Sequence, residues 1–350
     1  MPYSIPNKSK PLIVPHDRIR YGVVGLGRMG SLHLKLIQEL RDKAIVAALS
    51  DTQPKKLRQA KKQFPQALVA SDYRQLLGAV DALSICTPTE THCEIAEFFL
   101  ENRIPTLVEK PIASNLTEAE KMLWASQATS THLHIGHIER FNPAVIKAKQ
   151  FIDRPIFIET VRFSPYEARV RDIGVILDLM IHDLDLVLWM LSDLDVRLED
   201  YGGQGLSLIS PHEDLVKARL RFVEASSGSS IYVDLTANRL SMEKMRKIRI
   251  FQQDSYLSLD LMNHRLQYSK AKRLPLKKLT DIKSTLPKLK TTNPLRRELE
   301  HFLESIRKNT GHDVHPREAW DALELALQLV HAIDRKNLYA RKERVAAAFC

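Results

Sequence analysis

Gly25-Leu26-Gly27-Arg28-Met29-Gly30 follows the short apolar strand pattern of residues 21–24 and precedes the amphipathic stretch 31–40. That context identifies a dinucleotide-binding turn. Gly25 permits the tight turn, Gly27 lets the backbone approach a pyrophosphate, and Gly30 lets the helix close on the strand. The free N–H groups of the helix start, Leu26, Arg28 and Met29 included, and the positive end of its dipole suit phosphate oxygens. A second apolar strand, 45–50, ends in Asp51, about 20 residues beyond the last glycine, where the fold places the acid for the adenosine ribose. A carboxylate there binds ribose hydroxyls and repels a 2′-phosphate, so NAD is expected over NADP.

The remaining pattern is that of two domains. Strand and helix signals alternate through 54–64 (helix), 67–70 (strand), 73–77 (helix), 82–86 (strand), 90–101 (helix), 106–108 (strand), 116–128 (helix) and 133–136 (strand). This is the rhythm of an α/β Rossmann domain, assigned to residues 1–137. Past Pro143 come a helix at 144–152, a strand at 156–163 and a long apolar helix at 175–191. The alternating stretches 196–201, 216–223, 230–237, 247–251, 256–261 and 265–268 follow. They predict an α+β domain, 138–316, with a largely antiparallel open sheet. Helices at 294–308 and 316–335 each open with proline. The last segment, 317–350, is expected to pack back on the first domain.

Composition narrows the function classes. The chain has 350 residues, 44% hydrophobic and 27% charged, the balance of a globular protein with a sizeable core. The longest apolar candidate, 173–191, is broken by Asp178, His182, Asp183 and Asp185, so no membrane span is expected. The first 15 residues lack a signal-peptide core, and a cytoplasmic location follows. Cys86, Cys93 and Cys350 have neither metal-ligand nor redox spacing; Cys86 and Cys93 read as buried thiols, and no metal is expected. Of the net charge of +10, residues 270–290 supply a surplus of seven, eight cations against Asp281. That stretch carries two prolines and no aromatic residues that could stack on bases, so it reads as a solvated loop and not as a nucleic-acid surface.

Ligands of a doubly wound sheet lie at the carboxyl ends of its strands. The segments found there are Thr87-Pro88-Thr89, Glu109-Lys110-Pro111 and 137–143, with His92 and His137 nearby as cofactor-site neighbours. Lys110 follows a strand end on the nicotinamide side. Asp178 and His182 are four apart on an apolar helix, hence on one face. They either pair for packing or look into a cleft shared with Lys110 and a polar substrate.

These motifs together resemble the glucose-fructose oxidoreductase, inositol dehydrogenase and MocA family of sugar oxidoreductases, over nearly the whole chain. The runs Gly136-His137-Ile138-Glu139-Arg140-Phe141-Asn142-Pro143 and Arg169-Val170-Arg171-Asp172-Ile173-Gly174-Val175 resemble its UDP-N-acetylglucosamine 3-dehydrogenase branch. Ile173-Gly174-Val175 replaces the three glycines found in many members. The resemblance implies NAD-linked oxidation of a sugar hydroxyl. His182 would act as general base, Lys110 would stabilise the alkoxide, and Asp178 would orient His182 or anchor a neighbouring hydroxyl. Lys110 with a depressed pKa is the alternative base. Arg140, Arg169 and Arg171 are implied diphosphate contacts, and Asn142 either caps a helix or touches substrate. The resemblance also implies a sugar-nucleotide substrate, an aminotransferase acting on the product toward an envelope glycan such as lipid A, and a homodimer or homotetramer. The competing readings are a dehydrogenase of a free sugar, inositol or UDP-2-acetamido uronic acid, and a non-catalytic dinucleotide-binding regulator.

Overall fold

Short apolar runs with both faces covered build the first layer. Ala82-Leu83-Ser84-Ile85, for instance, is buried at all four positions. The computed structural model describes residues 18–167, 173–290, 292–308 and 316–337. Strands β1 (Ile19–Val24), β2 (Ala44–Ser50), β3 (Leu68–Ala70), β4 (Ala82–Ile85), β5 (Thr106–Glu109) and β6 (Leu133–Gly136) form a parallel sheet in the order β3-β2-β1-β4-β5-β6. Helices α1 (Arg28–Glu39), α2 (Pro54–Gln63), α3 (His92–Glu101) and α4 (Leu116–Thr129) connect them. The order reverses between β1 and β4, which opens a crevice at their carboxyl ends. Residues 73–77, expected as a helix, form the 3-10 turn Tyr73–Leu76, started by the Asp72 carboxylate accepting Arg74 N–H.

The chain crosses to the second layer through a 3-10 turn, Ile138–Phe141, and α5 (Pro143–Lys149). A nine-stranded sheet follows. It contains β7 (Pro155–Phe163), β8 (Val196–Ser207), β9 (Leu215–Glu224), β10 (Ser230–Asn238), β11 (Met245–Gln252), β12 (Ser255–Asp260), β13 (Arg265–Ala271), β14 (Ile282–Thr285) and β15 (Asp334–Asn337). Their order is β14-β13-β12-β11-β7-β10-β9-β8-β15. Neighbours run antiparallel except β7 with β10 and β8 with β15. The sheet is therefore largely antiparallel, as the alternation predicts. Within the basic 270–290 stretch, residues 282–285 are an edge strand on β13 and not loop.

The long apolar helix opens irregularly. Ile176–Met180 is a π turn, with Ile181 N–H reaching back to Ile176 O, and regular helix α6 spans Ile181–Leu191. Two terminal helices, α7 (Pro294–Lys308) and α8 (Pro316–Ala332), complete the layers. Leu299, Phe302 and Leu303 of α7 are fully buried among the apolar residues of β1, α1 and β2, and Phe302 meets Tyr21 edge to face at 6.4 Å. Each such burial stabilises by roughly 1.5–3 kcal/mol. Helix α8 lies between α6 and α4.

Gly30 is where the first helix touches the first strand. A Cβ there would lie 1.9 Å from Gly25 O and 3.3 Å from Val23 Cγ1. Gly30→Ala is expected to destabilise the protein by about 1–3 kcal/mol, visible as a lower urea midpoint at unchanged slope.

Candidate active site

The turn after β1 is held by backbone geometry. Gly25 has φ +89°, and a Cβ on it would strike the Cys86–Thr87 peptide. Gly27 is different: a Cβ there would meet nothing within 4 Å. No described protein neighbour demands glycine at 27, and the open space beside it leaves room for a ligand to lie against the backbone. Asp51 closes the β2 end, accepting Leu26 N–H and Gln53 N–H at 2.8 Å each and Lys56 Nζ at 3.2 Å. Three of about four acceptor positions on the carboxylate are thereby filled. Gly25, Gly27, Arg28, Met29, Asp51, Thr87, Pro88, Glu109 and Lys110 all line one cleft of about 1270 Å³. These residues fit a dinucleotide: an open glycine over a helix N-terminus for the pyrophosphate, and a carboxylate at the second strand for the ribose.

The same cleft takes in Asp178 and His182 from the second layer. Lys110 bridges the layers. Its Nζ donates to the backbone carbonyl of Asp178 at 2.7 Å and lies 3.6 Å from that residue's Oδ1. The carbonyl it takes lies inside the widened turn of residues 176–180. Burial lowers the Lys110 pKa, opposed by Asp178. His182 is pushed well below the ordinary histidine value by burial and then by the cations Lys110, Arg162 and Arg246. Its Nδ1 is buried without a hydrogen-bond partner. Asp178 therefore does not orient His182; it faces Lys110, and the imidazole is a neutral group with an unused nitrogen.

Several expected site residues lie elsewhere. Arg140 is buried, its Nε 2.9 Å from Asp185 Oδ2 and its NH1 bonded to Glu318, so it ties the 138–141 turn to α6 and α8 and contacts no ligand space in the cleft. Asn142 caps α5, accepting Ala144 N–H, while its amide donates to Leu261 O. That is the capping role. His92 is buried between the carbonyls of Thr87 and Pro111, 3.0 Å from each, and braces two cleft loops from behind. His137 is buried 3.3 Å from Asp185. Leu26 contributes its N–H to Asp51, its side chain to the core. Gly30 packs the helix. Arg169 and Arg171 lie outside the described residues. Cys86 is half-buried at the cleft, Cys93 buried, and Cys350 outside the described residues.

Glu139, Arg162 and Arg246 reach the cleft unforeseen. Glu139 is buried and accepts from Arg162 at 3.2 Å and Arg246 at 2.9 Å; burial works against its charge, yet those two guanidinium groups hold its pKa below the usual value. Glu109 is fixed by His33 at 2.9 Å, His33 by Ser84 at 2.8 Å, and Ser84 by Tyr21 at 2.6 Å. Arg162 was legible as an inward position in the alternation of β7. His33 lies on the buried stripe of α1.

Residues 19–137 match the model of an oxidoreductase family with an NAD-binding Rossmann fold. The chain is 30% identical over 292 residues to UDP-N-acetylglucosamine 3-dehydrogenase of Acidithiobacillus ferrooxidans, covering 82% of this chain and 88% of that one. A solved structure of that enzyme superposes with a TM-score of 0.82 at 28% identity, covering 90% of this chain and 97% of the other. Similarity extends to scyllo-inositol 2-dehydrogenase (NAD(+)) of Bacillus subtilis, 27% identical over 238 residues, 64% of this chain and 68% of that one. No helix among the described residues is long and apolar enough to cross a membrane.

Two substitutions separate ligand contacts from structural ones. Gly27→Ala is expected to weaken NAD binding, read by calorimetry, while leaving the melting temperature within a degree or so of the parent. Arg140→Gln strands the buried Asp185 carboxylate and is expected to cost about 3–5 kcal/mol of stability, measured by denaturant unfolding, with KM for substrate unaltered in the folded fraction.

Proposed function

The chain belongs to the glucose-fructose oxidoreductase, inositol dehydrogenase and MocA family of NAD-binding oxidoreductases, and from that membership we propose that it oxidises the 3-hydroxyl of UDP-N-acetylglucosamine to the 3-keto sugar nucleotide. The observation that carries this reading is the convergence of Lys110 and His182 on one cleft that begins at the dinucleotide-binding turn. Similarity to a UDP-N-acetylglucosamine 3-dehydrogenase over 82% of the chain supplies the substrate. Bound NAD supplies the hydride acceptor. His182, neutral at cytosolic pH, accepts the hydroxyl proton. Lys110 donates a hydrogen bond to the same oxygen and offsets its developing negative charge. Asp178 keeps the Lys110 ammonium charged and in place. Glu109, braced by His33, lines the nicotinamide end.

The 3-keto product is suited to an aminotransferase, which would give a 3-amino sugar for an envelope glycan such as lipid A. We place the enzyme in the cytoplasm, where nucleotide sugars are made. Self-association as a dimer or tetramer fits the outer face of the second sheet, where Phe251 stacks obliquely on Phe157 and Tyr256 and is 40% exposed. A second reading, oxidation of an inositol, draws on the similarity to scyllo-inositol 2-dehydrogenase.

Incubation with NAD and UDP-N-acetylglucosamine, with an aminotransferase removing the product, is expected to yield reduced cofactor and the 3-keto or 3-amino sugar nucleotide by mass spectrometry; turnover of inositol alone would replace the proposal with the second reading. Lys110→Ala is expected to retain NAD and lose about 10²–10³-fold in kcat. Because the base form of His182 is active and its pKa is depressed, kcat/KM should hold as pH falls through about 6.5 and decline only below it. An acid limb at or above that value would remove His182 as the base.

A further inference from the structure

The cleft has a second cationic station, at the start of a strand of the second sheet. Lys244, directly before β11, and Arg246, its second residue, both line it and both are exposed. Arg246 stands directly across from Arg162 in the antiparallel β7–β11 register. Like charges placed so repel each other. Glu139 holds them together by accepting one N–H from each. Arg162 is spent, because its other nitrogens grip Asp183 at 2.8 and 3.0 Å in a fully buried setting. Arg246 is not: it gives one N–H to Glu139 and keeps the rest of its fork in the cleft, with 44% of the side chain exposed. Lys244 has no ionic partner among the described residues. The nearby Asp178 is engaged by Lys110. The acids of this wall are thus neutralised, while two cations keep free donors.

The start of α1 on the first sheet would hold the cofactor's pyrophosphate, which would leave these donors for another anion. A planar fork beside a separate ammonium suits an anion with several oxygens on adjacent phosphorus atoms better than a single carboxylate. We infer that Lys244 and Arg246 bind the diphosphate of the substrate, so that the nucleotide end anchors on β11 while the sugar reaches Lys110 and His182. This inference rests on the sugar-nucleotide reading above and assigns the recognition element within it. It also couples anchoring to chemistry. Arg246 is one of the cations that depress His182, and a dianion docked on it relieves that field and makes the imidazole a stronger proton acceptor as substrate arrives.

The test uses UDP as probe. Calorimetry on the full-length enzyme should show UDP binding that weakens with salt, and affinity reduced about 10- to 100-fold in both Lys244→Ala and Arg246→Gln, with NAD affinity unchanged. Arg246→Gln should also move the acid limb of kcat/KM to higher pH, because removing a cation raises the proton affinity of His182; loss of structure alone would not shift it. Lys244 is solvent-facing, so its variant reports even where the arginine change lowers stability. Unchanged UDP affinity in both variants, with wild-type turnover of the nucleotide sugar intact, overturns this inference and leaves the proposed function standing. A wild-type enzyme that ignores UDP and oxidises a free polyol overturns both.

Discussion

Two buried carboxylates two residues apart on α6 anchor the helix that carries His182. Asp183 takes the Arg162 guanidinium, and Asp185 takes that of Arg140. One pair fastens the helix to the second sheet, the other to the turn that leaves the first. Ion pairs so deeply buried contribute little net stability, since desolvation offsets most of the attraction, but losing either partner is costly because a naked charge remains. Their effect is positional. Both pairs follow His182 directly in the chain, so the helix turn that carries the imidazole is anchored where it lines the cleft.

Lys110 has a comparable double role. It ties the first layer to the irregular opening of the long helix through the carbonyl of Asp178, and by standing near His182 it helps keep that ring uncharged. A neutral imidazole amid cations is a modest base, but a proton it receives is held weakly and returns readily to solvent. The arrangement suits a reversible alcohol oxidation, where the proton must leave before the next turnover.

The first layer was legible because its signals are local. Turn glycines, a strand-end acid and apolar runs occupy neighbouring positions in sequence, and Asp178 and His182 declared themselves as polar residues on an apolar helix. Arg140 was misassigned for the opposite reason. Its partners Asp185 and Glu318 lie 45 and 178 positions away, and an arginine near a presumed phosphate site looks the same in one dimension whether it faces ligand or core. A clue was present all the same: Asp183 and Asp185 in a buried helix require cations, and the inward-facing Arg162 of β7 is one. The π turn left no trace in the sequence, and the lysine that binds one of its carbonyls is 68 residues upstream. Strand β15 was read as the tail of a helix because its pairing with β8 is set by tertiary contact alone.

The nucleotide-binding layer ends in sequence at Gly136, yet part of its hydrophobic core is supplied by α7, beginning at Pro294. On the ribosome, therefore, Tyr21 and the inner face of α1 emerge long before Phe302 and Leu299 exist to cover them. The first half of the nascent chain must wait with an open seam while the whole second sheet is synthesised. Completion is deferred to α7, which makes the two layers one cooperative unit and leaves a chain cut before it with its dinucleotide fold unsealed.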